Sequence, residues 1–130
     1  MNRRVLLDTH AVLWALSEPE RLGIRVRRLF RNSSFVPLVS TVSLWEILAK
    51  AKAGKLQFTA DPETSLRQHL MDLRPSILPL LLDHVYAAHR LPLLHKDPWD
   101  RLLIGQALAE DAVFATKDEA IQQYQVPVIW

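Results

Sequence analysis

Short apolar runs that predict β-strands alternate with helical segments along this 130-residue chain. Strands are expected at about residues 4–8, 35–39, 76–81, 112–116 and 126–130. Helices are expected at about residues 11–17, 20–31, 43–53, 61–73, 83–90 and 97–110. This alternation is typical of α/β proteins, in which right-handed crossovers place helices on both faces of a mostly parallel sheet. We therefore predict one three-layer α/β domain over residues 1–130.

The composition excludes several functional classes. The chain has no cysteine, so disulfide frameworks and thiolate metal sites are unavailable, and its three glycines form no glycine-rich phosphate loop. The apolar run at residues 77–82 is far shorter than the roughly 18 residues of a membrane span. The apolar stretch before Asp8 is too short for the core of a signal peptide. We expect a cytoplasmic protein that makes no use of a membrane.

Four acidic residues lie where a strand or turn leads into a helix, or on a helix that has just begun: Asp8, Glu46, Asp100 and Asp118. The carboxyl ends of parallel strands meet in one crevice, so these side chains are expected to converge. Several carboxylates in one crevice repel one another unless a cation is present. Magnesium and manganese prefer such oxygen ligands. The pattern predicts metal-assisted chemistry on phosphodiesters.

Helix capping is the alternative interpretation of the same acids. Asp8 and Asp118 are placed as N-caps, Glu46 forms a Ser-x-x-Glu capping box with Ser43, and Asp97 precedes Pro98 as a cap. Each cap explains one residue, whereas convergence would explain the set. Both interpretations are open from the sequence alone.

Basic and imidazole side chains give weaker signals. Residues 1–31 hold seven arginines, and a helix over residues 20–31 would place Arg21, Arg25 and Arg28 on one face. That face is either a contact for an RNA phosphate backbone or a solvated surface. His10 and His95 lie near the acids, where packing or hydrogen bonding competes with acid–base catalysis.

Four segments carry a resemblance to a known family. They are residues 6–10 with Leu13-Trp14, residues 43–47 with Gly54-Lys55-Leu56, residues 95–104, and residues 116–118 with Tyr124 and Val128-Ile129-Trp130. In this order and spacing the chain resembles the PIN-domain ribonucleases, and within them the VapC-type toxins of toxin–antitoxin pairs. The resemblance covers nearly the whole chain.

The resemblance implies a PIN-like parallel sheet flanked by helices and an endoribonuclease that depends on Mg²⁺ or Mn²⁺. It also implies a homodimer and inhibition by a small cognate antitoxin whose tail enters the active-site groove. By position, the family's acidic quartet corresponds to Asp8, Glu46, Asp100 and Asp118. Thr9 and Thr116 match positions whose hydroxyls support the site, and Asp97 is an additional acid for the outer shell of the metal.

Two other functional classes fit the same residues. A catalytically silent module that binds RNA or an antitoxin would keep the acids as helix caps. A phospho-acceptor signalling domain also places acids at strand ends. Binding of Mn²⁺ should stabilise a catalytic cluster and leave caps almost unaffected, whereas a small phosphodonor should label only the signalling domain.

Overall fold

A computed structural model describes residues 3–32, 34–94 and 97–130. Its strands are β1 Arg3–Leu7, β2 Phe35–Ser40, β3 Ser76–Leu78, β4 Val113–Ala115 and β5 Val128–Ile129. They form one sheet of order β3-β2-β1-β4-β5, and every pairing is parallel. The predicted α/β fold with a parallel central sheet is confirmed.

Six α-helices connect these strands: α1 Thr9–Ser17, α2 Ile24–Leu29, α3 Thr41–Lys52, α4 Pro62–Leu73, α5 Leu82–Arg90 and α6 Pro98–Ala109. Two 3-10 turns, at Pro19–Arg21 and Glu119–Gln123, complete the described elements. Within the described residues, no helix has the length and apolar character needed to cross a lipid bilayer.

Alternate residues of β1 face two separate hydrophobic cores, as the period of a strand requires. Leu6 packs in one core with Leu103 and Ile104 of α6. Val5 and Leu7 belong to the other core, which contains buried residues of α1, α2 and α3. The central strand is therefore covered on both faces, as is usual for parallel sheets.

The strand order reverses at β1, because β2 and β3 lie on one side of it and β4 and β5 on the other. Leu7 pairs with Ala115 at the carboxyl ends of β1 and β4. The residues that follow these two strands, Asp8 and Thr116, therefore begin side by side. In open α/β sheets such a reversal opens the crevice in which ligands bind.

The continuous helix predicted over residues 20–31 is wrong. A 3-10 turn ends at Arg21, and α2 begins only after Gly23, whose backbone is extended. A Cβ atom on Gly23 would lie 2.4 Å from the carbonyl carbon of Trp130, so the chain passes closely over its own end here. Arg21 consequently lies on a different element from Arg25 and Arg28, and the predicted common helical face does not exist.

The capping box predicted for Ser43 and Glu46 is also wrong. The helix begins at Thr41, because Ser40 at the end of β2 is the N-cap and accepts a hydrogen bond from the Val42 amide at 3.0 Å. Glu46 therefore lies in the second turn rather than the first. This shift leaves its carboxylate available for contacts outside its own helix.

A chain of hydrogen bonds around the buried His84 and Gln106, here called the histidine network, links both ends of the sheet to α5 and α6. Nδ1 of His84 accepts from the Leu81 amide at 3.0 Å, so Nε2 donates to Oε2 of Glu110 at 2.8 Å. Oε1 of Glu110 is 3.1 Å from the Arg4 guanidinium. On the other side, Gln106 lies 3.3 Å from His84 and accepts from the Ser40 hydroxyl. Hydrogen bonding to His84 and then to Arg4 lowers the pKa of Glu110.

Candidate functional site

A cavity of about 370 Å³, here called the acidic cavity, lies where β1 and β4 end. All four predicted acids line it together with Asp97 and Thr9; its remaining lining residues are His10, Trp14, Lys50, Lys117 and Ile121. Folding therefore brings together side chains that are up to 110 positions apart in the sequence, Asp8 and Asp118. Arg21, Arg25 and Arg28 lie outside this cavity, and His95 lies outside the described residues.

Asp8 is both a helix cap and a wall of the acidic cavity. Its Oδ1 accepts a hydrogen bond from the Ala11 amide at 2.7 Å, while its side chain also accepts from the Thr116 hydroxyl. Burial raises the pKa of Asp8, and the negative charge of Asp118 raises it further, although both hydrogen bonds act in the opposite direction. The ionised carboxylate is thus less favourable here than in water, which is the condition that a bound cation would relieve.

Thr116 connects the two acids that follow β1 and β4. Its side chain is buried, and its hydroxyl donates to Asp8 while accepting from the Asp118 amide at 3.1 Å. Asp118 in turn caps the following 3-10 turn, because its Oδ1 accepts from the Ala120 amide at 3.0 Å. The Thr116 hydroxyl therefore fixes the backbone of Asp118 and the side chain of Asp8.

Glu46 reaches the acidic cavity from α3 and is almost completely buried. Its Oε1 accepts from the Thr9 hydroxyl at 2.7 Å, and Oε2 is 2.6 Å from the Lys50 ammonium. The Thr9 hydroxyl is also 3.2 Å from that of Ser43. Lys50 therefore supplies a positive charge beside this buried carboxylate, as a buried ion needs.

Asp97 and Asp100 approach from the beginning of α6. Asp97 is the N-cap, and its Oδ1 accepts from the amides of Trp99 and Asp100 at 2.9 and 3.4 Å. Asp100 lies in the first turn and is half-buried. Because the positive end of a helix dipole favours nearby anions, the first turns of α1 and α6 offset part of the repulsion among these acids.

Sequence reasoning did not assign Lys50, Lys117 or Trp14 to this site. Lys50 had a local signal, since it follows Glu46 by four residues on one helix, a spacing that brings side chains into contact. Lys117 precedes Asp118 directly, but adjacency gives no information about which side chains enter a cavity. Trp14 lies one helical turn after His10, and the two ring centroids are 5.7 Å apart.

The donor set of the acidic cavity fits a hard divalent cation. Five carboxylates line it, from Asp8, Glu46, Asp97, Asp100 and Asp118, and carboxylate oxygens are the ligands that Mg²⁺ and Mn²⁺ prefer. Among the described residues, however, no three acidic or histidine side chains are grouped closely enough to enclose an ion by themselves. The fit is therefore to an ion held by a few carboxylates, with water or a phosphate completing its coordination, as is usual for Mg²⁺.

The chain belongs to the PIN-domain family, because the sequence profile of the PIN domain matches residues 5–127. This confirms the family resemblance found in the sequence. PIN domains are a nuclease-like family, which supports a hydrolase acting on nucleic acid. A comparison with curated protein sequences gives no match.

Solved toxin–antitoxin structures share this fold. VapBC2 from Rickettsia felis, crystallised with a DNA fragment from its promoter, aligns with a TM-score of 0.73 at 16% identity over 98% of both chains. VapBC-1 from nontypeable Haemophilus influenzae gives a TM-score of 0.64 at 18% identity, covering 97% of this chain and 96% of that one. VapBC-5 from Mycobacterium tuberculosis gives 0.65 at 16%, covering 97% of each chain. At such identities the likeness establishes the fold.

Proposed function

We propose that this protein is an endoribonuclease that depends on Mg²⁺ or Mn²⁺ and acts in the cytoplasm as the toxin of a toxin–antitoxin pair. The observation that carries the proposal is the convergence of five carboxylates on one cavity, with the buried Asp8 in a setting that disfavours its charge. Membership in a nuclease-like family and the shared fold with VapBC proteins support the same conclusion.

In this proposal, Asp8, Glu46, Asp100 and Asp118 would hold the metal, directly or through its waters, and Asp97 would contribute to its outer shell. The ion, when bound, supplies a water of lowered pKa and offsets the charge that grows on the phosphate oxygens. Thr116 positions Asp8 and Asp118 through its two hydrogen bonds, and Thr9 positions Glu46. These contacts fix the acids before substrate arrives, which is what electrostatic preorganisation requires.

The two lysines of the acidic cavity act on the substrate in this proposal. Lys50 and Lys117 line the cavity beside the carboxylates. A phosphodiester carries a negative charge that the acids would otherwise repel, and an ammonium group at the rim offsets that repulsion. Lys117, together with Lys50 beside its partner Glu46, would therefore face the phosphates that flank the cleaved bond.

We propose a cognate antitoxin and a second copy of the chain as partners. The structural neighbours are VapBC toxin–antitoxin proteins, which supports the antitoxin. The edge strand β3 and the helix α5 expose apolar side chains, including Ile77, Leu82 and Tyr86, at 46%, 64% and 48% of their surface. An edge strand with exposed apolar neighbours is a common protein contact, so we assign the homodimer interface to this surface.

A catalytically silent binding module is the second candidate function. It is favoured by the structural duties of the acids, because Asp8, Asp97 and Asp118 all cap helices or turns and Glu46 is paired with Lys50. Such a module would bind RNA or an antitoxin with the same surfaces but would not cleave. It predicts no dependence of any activity on divalent metal.

The test compares two aspartate-to-asparagine changes at helix N-caps. Asp8→Asn keeps a good capping residue but removes the charge from the acidic cavity, whereas Asp61→Asn makes the same change at the exposed cap of α4. We expect wild type and Asp61→Asn to cleave single-stranded RNA in Mg²⁺ or Mn²⁺, and Asp8→Asn or a chelator to abolish cleavage. Cleavage by Asp8→Asn at the wild-type rate would contradict the nuclease proposal, and RNA binding without cleavage by wild type would identify the silent module.

A further inference from the structure

A second cavity of about 560 Å³ adjoins the acidic cavity on the side of α1 and α4. Thr9, His10 and Trp14 of α1 and Lys50 of α3 line both cavities. The two cavities therefore join at these four side chains and form one continuous depression. We call the second part the aromatic groove.

Aromatic rings and hydrogen-bonding groups distinguish this groove from the acidic cavity. Its further lining includes Phe58 from the loop after α3 and His69 from α4, together with the polar side chains of Gln57 and Ser65. Proteins bind unpaired nucleobases with successive aromatic rings and polar groups, because the rings stack on base faces and the polar groups form hydrogen bonds with base edges. The aliphatic lining of the groove is limited to Leu13 and Leu56, whereas a groove for an amphipathic peptide helix presents a row of apolar pockets at helical spacing.

Intramolecular contacts hold the wall between the two parts in place. The Arg21 guanidinium lies 4.6 Å above the ring of Trp14 and is 2.9 Å from Oε2 of Glu18. Trp14 also packs against Trp130, with ring centroids 5.7 Å apart. His10, which is exposed, also contacts Trp14 at the junction, with ring centroids 5.7 Å apart. Because these contacts already order the wall, stacking of a base on it costs little additional side-chain conformational entropy.

The distribution of charge fixes the direction from which an anionic strand approaches. The acidic cavity is lined by five carboxylates against Lys50 and Lys117, whereas the aromatic groove is lined by Glu18 against Arg21 and the shared Lys50. A sugar–phosphate backbone therefore meets an excess of negative charge in the acidic cavity and an excess of positive charge along the aromatic groove. Lys50 stands at the junction, where the phosphate between two nucleotides would pass from one part to the other.

We infer that the aromatic groove binds the nucleobases next to the cleaved bond of a single-stranded RNA. This inference rests on the proposed nuclease function, because it assigns the groove to the same substrate strand. Stacking on His69 and Phe58 fixes where the strand lies over the acids. The groove thereby sets which bond enters the acidic cavity, so it also determines sequence preference.

Binding by His69 variants tests the inference without relying on catalysis. In an Asp8→Asn background, which we expect to be inactive, the affinity for a fluorescein-labelled single-stranded RNA octamer is measured by anisotropy. Stacking on one base is worth roughly 1–3 kcal/mol, so His69→Ala should weaken binding about tenfold. His69→Phe should restore most of the affinity, because it keeps a ring but no ionisable group. His89→Ala, an exposed histidine of α5 outside both cavities, is the matched control.

Equal affinities of His69→Ala and His89→Ala for the octamer would overturn the inference. The same result combined with weaker binding of a co-expressed antitoxin by His69→Ala would assign the groove to a protein segment instead. Failure of the nuclease proposal looks different, because wild type would then bind RNA in a His69-dependent way without cleaving it. If the inference holds and wild type cleaves, His69→Ala in the otherwise wild-type chain should raise KM and change the positions of the cuts.

Discussion

The acidic cavity and the histidine network both join buried polar side chains to partly exposed charged ones, yet they differ in charge balance. In the histidine network a single carboxylate, Glu110, meets a histidine N–H and a guanidinium, and its pKa is lowered. In the acidic cavity Asp8 faces a second carboxylate, and burial raises its pKa. The first arrangement is complete within the chain, whereas the second would be completed by a cation. The pKa of Glu110 is thus lowered beside its hydrogen-bond donors, whereas the pKa of Asp8 is raised by burial next to a second carboxylate.

The largest expected difference is in catalysis. Glu46→Gln removes a charge from the acidic cavity and should lower the rate of RNA cleavage about 10³-fold, in line with the loss of one preorganised electrostatic contact. Glu110→Gln, the same chemical change in the histidine network, should leave the rate within about twofold. Initial rates with a labelled RNA in Mn²⁺ measure both. Equal losses in the two variants would show that charge balance does not distinguish the clusters.

For stability we expect the reverse: a substitution in the histidine network should have a larger effect than one in the acidic cavity. His84→Leu removes the hydrogen bonds to the Leu81 amide, Glu110 and Gln106, and the free energy of unfolding should fall by about 3 kcal/mol because each of the three bonds contributes about 1 kcal/mol. Urea unfolding followed by circular dichroism measures the change, with the exposed His89→Leu as control. A loss below about 1 kcal/mol would mean that the network contributes little to the fold.

Metal should stabilise the acidic cavity, in which five carboxylates outnumber two lysines, and not the histidine network. At a free Mn²⁺ concentration of about 100 times Kd, the unfolding free energy of wild type should rise by about 2.7 kcal/mol, since the ion binds the folded state selectively. Glu110→Gln should show the same rise, and Asp8→Asn should lose most of it. Unfolding in matched buffers with Mn²⁺ or chelator measures the difference. A rise of equal size in Asp8→Asn would place the ion elsewhere.

The histidine network should weaken in acid. Because the folded-state pKa of Glu110 lies below its usual 4.5, its contribution is fully present above pH 4.5 and is lost as the pH falls through the lowered value. About 1 kcal/mol is expected, the usual worth of a partly exposed hydrogen bond to a charged group. Unfolding free energies of wild type and Glu110→Gln between pH 3 and pH 6 should converge at the acid end. Parallel curves would contradict the assignment.

The smallest expected effect is a gain in stability when the charge of Asp8 is removed. Because the folded-state pKa of Asp8 lies above its usual 3.8, ionisation costs stability as the pH rises through the raised value. In metal-free buffer at pH 7, Asp8→Asn should therefore be more stable than wild type by about 0.5 kcal/mol, because Asn still caps α1. The gain should vanish below pH 3.8. A destabilised Asp8→Asn would show that its charge supports the fold.

Local signals made most of the fold predictable. Apolar runs ended by Asp or Ser mark β1 and β2, and Asp-Pro pairs mark the starts of α4 and α6. The convergence of the acids also followed from the sequence, since parallel strands place their carboxyl ends together. The helix-cap and metal-site interpretations of Asp8 are compatible, because one carboxylate oxygen accepts a hydrogen bond from the helix while the side chain lines the acidic cavity.

The features that sequence reasoning missed depend on contacts between distant residues. The break before α2 follows from the close passage of Gly23 over Trp130, which no local pattern reveals. The histidine network joins residues as far apart as Arg4 and Glu110. Ser40 and Ser43 are both good caps, and only the way β2 runs directly into α3 decides between them. Capping propensity could not choose between the two serines, because the tertiary structure sets the start of α3.

The double duty of Asp8 has an evolutionary consequence. A single nucleotide change converts an aspartate codon into an asparagine codon, and the encoded residue begins α1 just as well. Chemistry can then disappear from a lineage while the chain still folds and keeps its surface for partners. If the proposed nuclease and antitoxin roles hold, inert descendants that still bind the antitoxin are therefore one mutational step away.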